Sequence, residues 1–212
     1  KNLMTEIADI DYGMGNVHSV SKALAKVSEK NTKIIITNSM DEIRNCSHIV
    51  FPGQGAASEC MKNINKHLDI EEFKKTIYEK PFLGICMGLQ VLMNSSDENN
   101  VTSCLDIFDG EVKSIKDNLK DKLKIPHMGW SQVEQCHNHP IWEKIKNNSY
   151  FYFVHSFFVK PVNKEEILSK TFYGFDFTSG LSKENIIAVQ FHPEKSSKDG
   201  LQFLQNFINW RI

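Results

Sequence analysis

The sequence predicts an α/β fold: a mainly parallel central sheet flanked by helices, with additional antiparallel strands in the C-terminal half. Three observations lead there. Up to residue 93, short apolar runs alternate with segments of helical periodicity, the pattern of right-handed βαβ units. Beyond residue 107, strand-like runs follow one another with few long helices between them, as hairpins would. The length, 212 residues, suits one well-buried core, and no linker or internal repeat divides it, so residues 1–212 are expected to form a single domain.

Taken in order, residues 6–11 (EIADID) predict a first strand, closed by the turn Gly13-Met14-Gly15. Val17, Val20, Leu24 and Val27 then recur at helical spacing, with Asn16 placed as the N-cap. Residues 33–37 (KIIIT) read as a buried strand and 41–45 as one helical turn. His48–Phe51 reads as another strand, stopped by Pro52-Gly53. Residues 61–78 are mostly helical in pattern, with a break near His67. A strand over 82–86 hands over to a helix begun by 87–93. Further strands are expected over 107–114, 123–134, 150–160, 167–173 and 186–191. A last helix is expected over 198–210, where Leu201, Leu204, Phe207 and Ile208 share a face.

Charge excludes some functions. Lys+Arg number 25 and Asp+Glu 26, which leaves no electrostatic footprint for nucleic acid or an anionic membrane. The lysine-rich stretch 113–124 is interrupted by Asp and Leu and reads as a solvated loop. The apolar runs are too short to cross a bilayer, and KNLMTEIADID has no apolar stretch of signal-peptide length. Five cysteines, an odd number without a C-x-x-C pair, fit a reducing compartment, so a soluble cytoplasmic protein is expected. His137 and His139 could share a strand face toward a metal, but a polar hairpin turn before Pro140 is the better reading. No metal or cofactor is expected.

The chemistry concentrates in two segments. Gly84-Ile85-Cys86-Met87-Gly88 places a thiol where a strand hands over to a helix, with small residues on both sides to allow a sharp turn, as in the serine elbow G-x-S-x-G. A helix N-terminus there would favour the thiolate. Ala188-Val189-Gln190-Phe191-His192-Pro193-Glu194 supplies an imidazole at a strand end and a carboxylate brought back by proline, that is, a base and its orienting group. Oxyanion donors are available from the backbone N–H of Met87 and from the loop Pro52-Gly53-Gln54-Gly55. Each piece alone has a plain alternative: a small core cysteine, a strand-end histidine, an ordinary turn. Their combination points to acyl transfer through a thioester.

These residues resemble the class I, triad-type glutamine amidotransferases. G-I-C-M-G-L-Q and Q-F-H-P-E carry the resemblance. It implies that family's single-domain, flavodoxin-like fold, with Cys86 as nucleophile, His192 as general base and acid, and Glu194 as orienter. Gln90, one helical turn after Cys86, then helps to hold the glutamine, and the backbone of the His155-Ser156-Phe157 segment touches it; a buried structural histidine is the alternative for His155. Five motifs in order narrow the resemblance to the glutaminase subunits of imidazole glycerol phosphate synthase. They are Asp11 to Asn16, Pro52 to Gly55, Pro126 to Trp130, Tyr152 to Ser156 and His192 to Ser196.

The narrower resemblance implies a (β/α)₈-barrel cyclase as partner in a heterodimer, an internal ammonia tunnel, and products that include imidazole glycerol phosphate and an aminoimidazole carboxamide ribotide. Asn16, Trp130, Tyr152 and Lys195 resemble residues at or near that interface; core packing is the alternative for Trp130 and Tyr152. Gln54 stands where relatives often have a small apolar residue, and Phe157-Phe158 where they often have tyrosine. The Gly53-Gln54 loop is expected to rest with the Gln54 N–H turned away and to flip when the partner closes. The close rival is a paralogous glutaminase that feeds a surface-sugar amidotransferase. A non-catalytic subunit on the same fold is a more distant one.

Overall fold

The computed structural model describes residues 4–120 and 122–212. The N-terminal reading and the lysine-rich stretch therefore include positions, 1–3 and 121, that lie outside the described residues. The strands are β1 (Thr5–Ile10), β2 (Thr32–Thr37), β3 (His48–Phe51), β4 (Phe82–Ile85), β5 (Ser95–Ser96), β6 (Thr102–Ser103), β7 (Gly110–Ser114), β8 (His127–Gln135), β9 (Ser149–His155), β10 (Phe157–Pro161), β11 (Ile167–Phe172), β12 (Asp176–Lys183) and β13 (Ile186–Val189). The helices are α1 (Val17–Val27), α2 (Met40–Asn45), α3 (Ala57–His67), α4 (Ile70–Ile77), α5 (Met87–Gln90) and α6 (Ser197–Asn209). A 3₁₀ turn, Pro193–Lys195, joins β13 to α6. Among the described residues no helix is long and apolar enough to cross a membrane.

The sheet runs β2-β1-β3-β4-β13-β12-β10-β7-β5-β6. The first five strands are mutually parallel. From β12 onward the pairing is antiparallel, apart from β5 with β7. β11 leaves β12 to meet β8, and β8 pairs with β9 along its length. The expected division into a parallel first half and an antiparallel second half holds with one correction: β13, expected among the antiparallel strands, runs parallel to β4 and belongs to the parallel part of the sheet.

Alternation along the parallel strands sorts two cores. Ala8, Ile10, Ile49, Phe51 and Phe82 enter a layer with Ile43 of α2, Ile64 of α3 and Phe73 of α4. Ile7, Val50, Leu83, Ile85, Ile187 and Val189 enter the opposite layer with Leu24 of α1 and Phe203, Leu204 and Phe207 of α6. Strands covered on both faces need continuous apolar runs, which is why HIVF and IIAV were readable.

Several expectations need correction. The run at 33–37 is not a buried strand: β2 is the sheet edge, pairs with β1, and leaves Ile36 38% exposed. Residues 150–160 form two strands broken at Ser156, because β9 must follow β8 while β10 joins β7. The helical stretch expected from residue 61 begins earlier, at Ala57, while the break expected near His67 is there: α3 ends at His67 and α4 is capped by Asp69, which accepts from the Glu72 N–H at 3.1 Å. The helix after Cys86 is a single turn, α5, rather than a run through residue 93. Asn16 precedes α1, but its side chain makes no capping bond. β12 was not anticipated, since its buried core, Phe-Thr-Ser-Gly-Leu, is short on strand-forming apolar residues.

Candidate active site

The turn between β4 and α5 is built by close approach. Gly88 lies so near the carbonyl of Phe51, and Gly84 so near that of Gly88, that a Cβ at either would overlap an oxygen. Small residues there let the chain reverse at once, and Cys86 absorbs the reversal with φ +57° and ψ −110°. Such a conformation costs a non-glycine residue about 1–3 kcal/mol and lifts its side chain above the sheet edge. The Cys86 N–H is tied to Val189 O at 2.8 Å, so the elbow is fixed to the neighbouring strand β13.

β13 leads directly to the second functional group. His192 and Glu194 are 2% exposed as side chains, and His192 Nδ1 meets Glu194 Oε1 at 2.6 Å. Burial pushes the imidazole pKa down, but the Cys86 sulfur and then the Glu194 carboxylate push it up more strongly, to about 10. The imidazolium, with its second nitrogen facing the thiol side, is thus the favoured form. His192 Nε2 has no hydrogen-bond partner among the described residues and remains available. The turn itself is stapled to β9: Tyr152 O accepts from the His192 N–H at 2.9 Å, and Ser196 Oγ, which accepts from the Tyr152 N–H at 2.9 Å, donates to His192 O at 2.6 Å.

A cleft of about 430 Å³ opens over Cys86 and His192. Gln90, His155, Ser156 and Phe157 line it, as do Gln54, Met87 and Lys195. Gly53 lies just behind. Its carbonyl accepts from the Met87 N–H at 3.3 Å. One expected oxyanion donor is therefore engaged in this state. In a planar trans peptide the N–H opposes the C=O, so the Gln54 N–H points away from that position. Asn16 is exposed outside the cleft, although the preceding Gly15 packs against the backbone of Gly53.

A chain of polar contacts runs from β8 to the Cys86 thiol. His155 Nδ1–H donates to Phe157 O at 2.8 Å, which leaves His155 Nε2 to accept from His127 Nδ1–H at 2.8 Å, and His127 Nε2 to accept from Ser131 Oγ–H at 2.8 Å. Burial lowers His127 to about 4 and His155 to about 3, so both stay neutral near pH 7 and the tautomers are set by this chain. Gln90 Nε2 donates to the same Phe157 O at 3.1 Å and to Gln190 Oε1 at 3.0 Å. Gln190 Nε2 in turn lies 3.6 Å from Cys86 Sγ. Sequence reasoning missed His127 and Gln190 as members of the site, as well as Glu98, which lines the cleft and accepts from the Ala57 N–H at 2.9 Å. His127 and Gln190 lie inside motifs already singled out, which was the available signal; Glu98 had none.

β8 and β9 form a ribbon with one face in the core, where Phe151 and Phe153 sit, and one outside. Trp130 and Tyr152 are cross-strand neighbours on the outer face with ring centroids 6.0 Å apart. Trp130 is 49% exposed and Met128 and Tyr150 are 55% exposed, so this is an apolar surface beside the cleft rather than core. Burial pushes the Cys60 thiol to about 12 and the Cys46 thiol to about 11, so neither offers a thiolate near neutral pH. Among the described residues no group of three or more His, Cys, Asp or Glu side chains is placed to hold a metal. His137 instead bonds Ser182 Oγ at 3.1 Å, and His139 accepts from the Ile141 N–H at 3.0 Å.

The glutamine amidotransferase class-I family model matches residues 9–210. A Hydrogenovibrio crunogenus protein named imidazole glycerol phosphate synthase subunit HisH is 49% identical over 201 residues, 95% of this chain and 94% of that one. A protein of the same name from Nitrosococcus oceani is 47% identical and covers 98% of each chain. Among solved structures, a glutamine amidotransferase superposes with a TM-score of 0.71 at 12% identity, over 96% of this chain and 99% of the other. A glutamine amidotransferase from Thermotoga maritima superposes with a TM-score of 0.60 at 16% identity, over 92% and 79%.

Proposed function

The chain belongs to the class-I glutamine amidotransferase family, and we propose that its Cys86–His192–Glu194 cluster is the catalytic centre of that activity. It is a glutaminase, the subunit of imidazole glycerol phosphate synthase that supplies ammonia in histidine biosynthesis. The observation that carries the site assignment is the buried His192–Glu194 pair, bonded at 2.6 Å and turned toward a thiol on a strained elbow inside the cleft. Residues 1–212 are taken as one amidotransferase domain.

The mechanism follows from the protons. Cys86, as thiolate, attacks the side-chain amide carbon of glutamine, and the developing oxyanion needs donors. His192, already protonated, passes its Nε2 proton to the leaving nitrogen, so ammonia departs as the C–N bond breaks and a glutamyl thioester remains. Neutral His192 then takes a proton from water, the hydroxide adds to the thioester, and glutamate leaves as the Cys86 thiolate is restored. Glu194 holds the ring and balances its charge throughout. Gln90 and the 155–157 segment position the substrate.

The Gly53 carbonyl on the Met87 N–H accounts for a resting enzyme. Rotating the Gly53–Gln54 peptide would free the Met87 donor and bring in the Gln54 N–H at once. Losing one such donor costs about 10²–10³ in rate, so the resting peptide is a sufficient brake. The partner is a cyclase subunit. We take it to be a (β/α)₈ barrel in a heterodimer, seated on the Trp130–Tyr152 face with Asn16 and Lys195 at its edge, where aromatic anchors suit an interface. That face adjoins the cleft, so ammonia could pass without meeting water and being protonated.

The test is glutamate release from glutamine, alone and with the cyclase and its nucleotide ligand. Strong stimulation that Cys86→Ala abolishes is expected. Release unchanged by that substitution would remove the nucleophile assignment, and no stimulation of folded protein would point to a different synthase as partner.

A further inference from the structure

Asp9 is a carboxylic acid with no visible reason to be where it is. It is the penultimate residue of β1, wholly buried, and neither of its oxygens has a hydrogen-bond partner. Alternation places it on the side of Ile7, not of Ala8 and Ile10, and its sheet neighbour Val50 belongs to the same layer beneath α1 and α6. The 3₁₀ turn that carries Glu194 packs against α1 and α6 over that layer. Glu194 spends Oε1 on His192, and its Oε2 is likewise buried and unpartnered. Two carboxyl groups in one low-dielectric layer thus hold three orphan oxygens between them, and one retained proton shared between the two groups relieves the repulsion and partners two of the three.

The charges around Asp9 agree. Burial first, then Glu194, then Asp11 beyond the strand end, raise its carboxyl to about 8. His192 and Cys86 lie past Glu194. Lys22 and Lys26 of α1 and Lys195 line a separate polar cleft onto which Glu194 borders, and α6 carries Lys198 and Asp199 in its first turn. On β3, His48 bonds the Trp210 carbonyl at 2.9 Å. Among the described residues no side chain donates a hydrogen bond to either oxygen of Asp9.

We propose that Asp9 is carried as the neutral acid and donates its carboxyl proton as a hydrogen bond to Glu194 Oε2, which makes it a positioning residue for the His192–Glu194 pair. The arrangement leaves the negative charge on Glu194, where the imidazolium needs it. Ionisation of Asp9 removes the donor and sets a second anion behind Glu194, freeing that carboxylate to turn from His192. Activity should therefore fall on the alkaline side as Asp9 ionises. The proposal rests on the glutaminase reading for its kinetic consequences, not for the hydrogen bond itself.

Two measurements test it. Infrared spectroscopy of the full chain at pH near 7 should show a protonated-carboxyl band that disappears in Asp9→Asn and shifts in Glu194→Gln. Glutamate release by the cyclase complex with its nucleotide should be followed from about pH 6 to about pH 9.5. Asp9→Leu should lower kcat about tenfold or more with KM for glutamine changed less than about twofold, while its denaturation midpoint does not fall. Asp9→Asn, which keeps a donor, should recover most of that kcat and lose the alkaline fall. No protonated-carboxyl band in the wild type, a band that survives Asp9→Asn, or wild-type kcat and pH profile in Asp9→Leu would each overturn the proposal. If Asp9→Leu does not fold, the band and the Asp9→Asn profile decide. Absence of glutamate release from the wild-type complex would sink the glutaminase reading instead, with the band still deciding the Asp9–Glu194 contact.

Discussion

Gly53→Ala tests whether packing holds the oxyanion loop in its resting position. A Cβ there would stand 2.5 Å from Tyr12 Oη, 3.0 Å from Met87 Cβ and 3.2 Å from the Gly88 nitrogen. The Tyr12 hydroxyl cannot easily give way. It donates to Pro52 O at 2.8 Å, lies 3.1 Å from Cys60 Sγ, and belongs to a buried ring stacked on Phe51 at 4.9 Å. Overpacking of this kind costs about 1–3 kcal/mol. The Met87 N–H···O=C Gly53 bond, already long at 3.3 Å, adds about 0.5 kcal/mol if lost. Urea melts should then show a loss of about 2–3 kcal/mol, or a fall of about 4–12 °C in Tm for a chain this long. The decisive comparison uses a Tyr12→Phe background, which removes the oxygen that clashes most. There the added methyl should cost only about 1 kcal/mol, because the contacts to Met87 and Gly88 remain, giving a coupling of about 1–2 kcal/mol. Glutamate release with the loaded cyclase should recover in parallel. An equal cost of Gly53→Ala in both backgrounds would refute the view that the Tyr12 hydroxyl sets the loop.

Three other outcomes follow from the same geometry. Glu194→Gln should lower kcat by about 10²–10⁴ while leaving KM for glutamine nearly unchanged, read by glutamate release in the complex. It should also move a stability transition: a raised folded-state pKa means that His192 stabilises the fold fully below about 6.5 and loses that contribution as pH rises through about 10, and the variant should lose it at lower pH in melts across the range. Gly88→Ala, whose Cβ would overlap the Phe51 carbonyl, should cost more than about 3 kcal/mol or prevent folding, so a stable variant at wild-type Tm would show that the elbow is not close-packed. Trp130→Ala, on an exposed ring, should leave the melting midpoint within about 2 °C of wild type yet weaken cyclase binding by about 30-fold or more by calorimetry; unchanged affinity would move the interface elsewhere.

What the sequence determined by itself was local. The elbow could be read because a strand-to-helix reversal needs small residues at 84 and 88, although what crowds Gly88 is the Phe51 carbonyl of β3, which only the fold brings there. His192-Pro193-Glu194 could be read because proline brings the carboxylate back within two residues of the ring, and the structure has them 2.6 Å apart. The doubly covered strands were legible because burial on two faces demands unbroken apolar runs. What tertiary structure decided was every property that depends on a partner far along the chain. KIIIT looks buried, but strand order leaves β2 at the edge, half in solvent. The aromatic run at 150–160 has no internal stop signal, and it divides only because its two halves pair with different strands. β12 is a strand because β13, β10 and β11 supply its hydrogen bonds, not because of its own residues. The site divides the same way. Cys86, His192 and Glu194 announced themselves by type and spacing, whereas Asp9 was one carboxylate in an apolar strand and Gln190 one amide before an aromatic. Sheet register set Gln190 beside the thiol and put Asp9 in the layer that Glu194 covers, because register fixes which face each side chain enters.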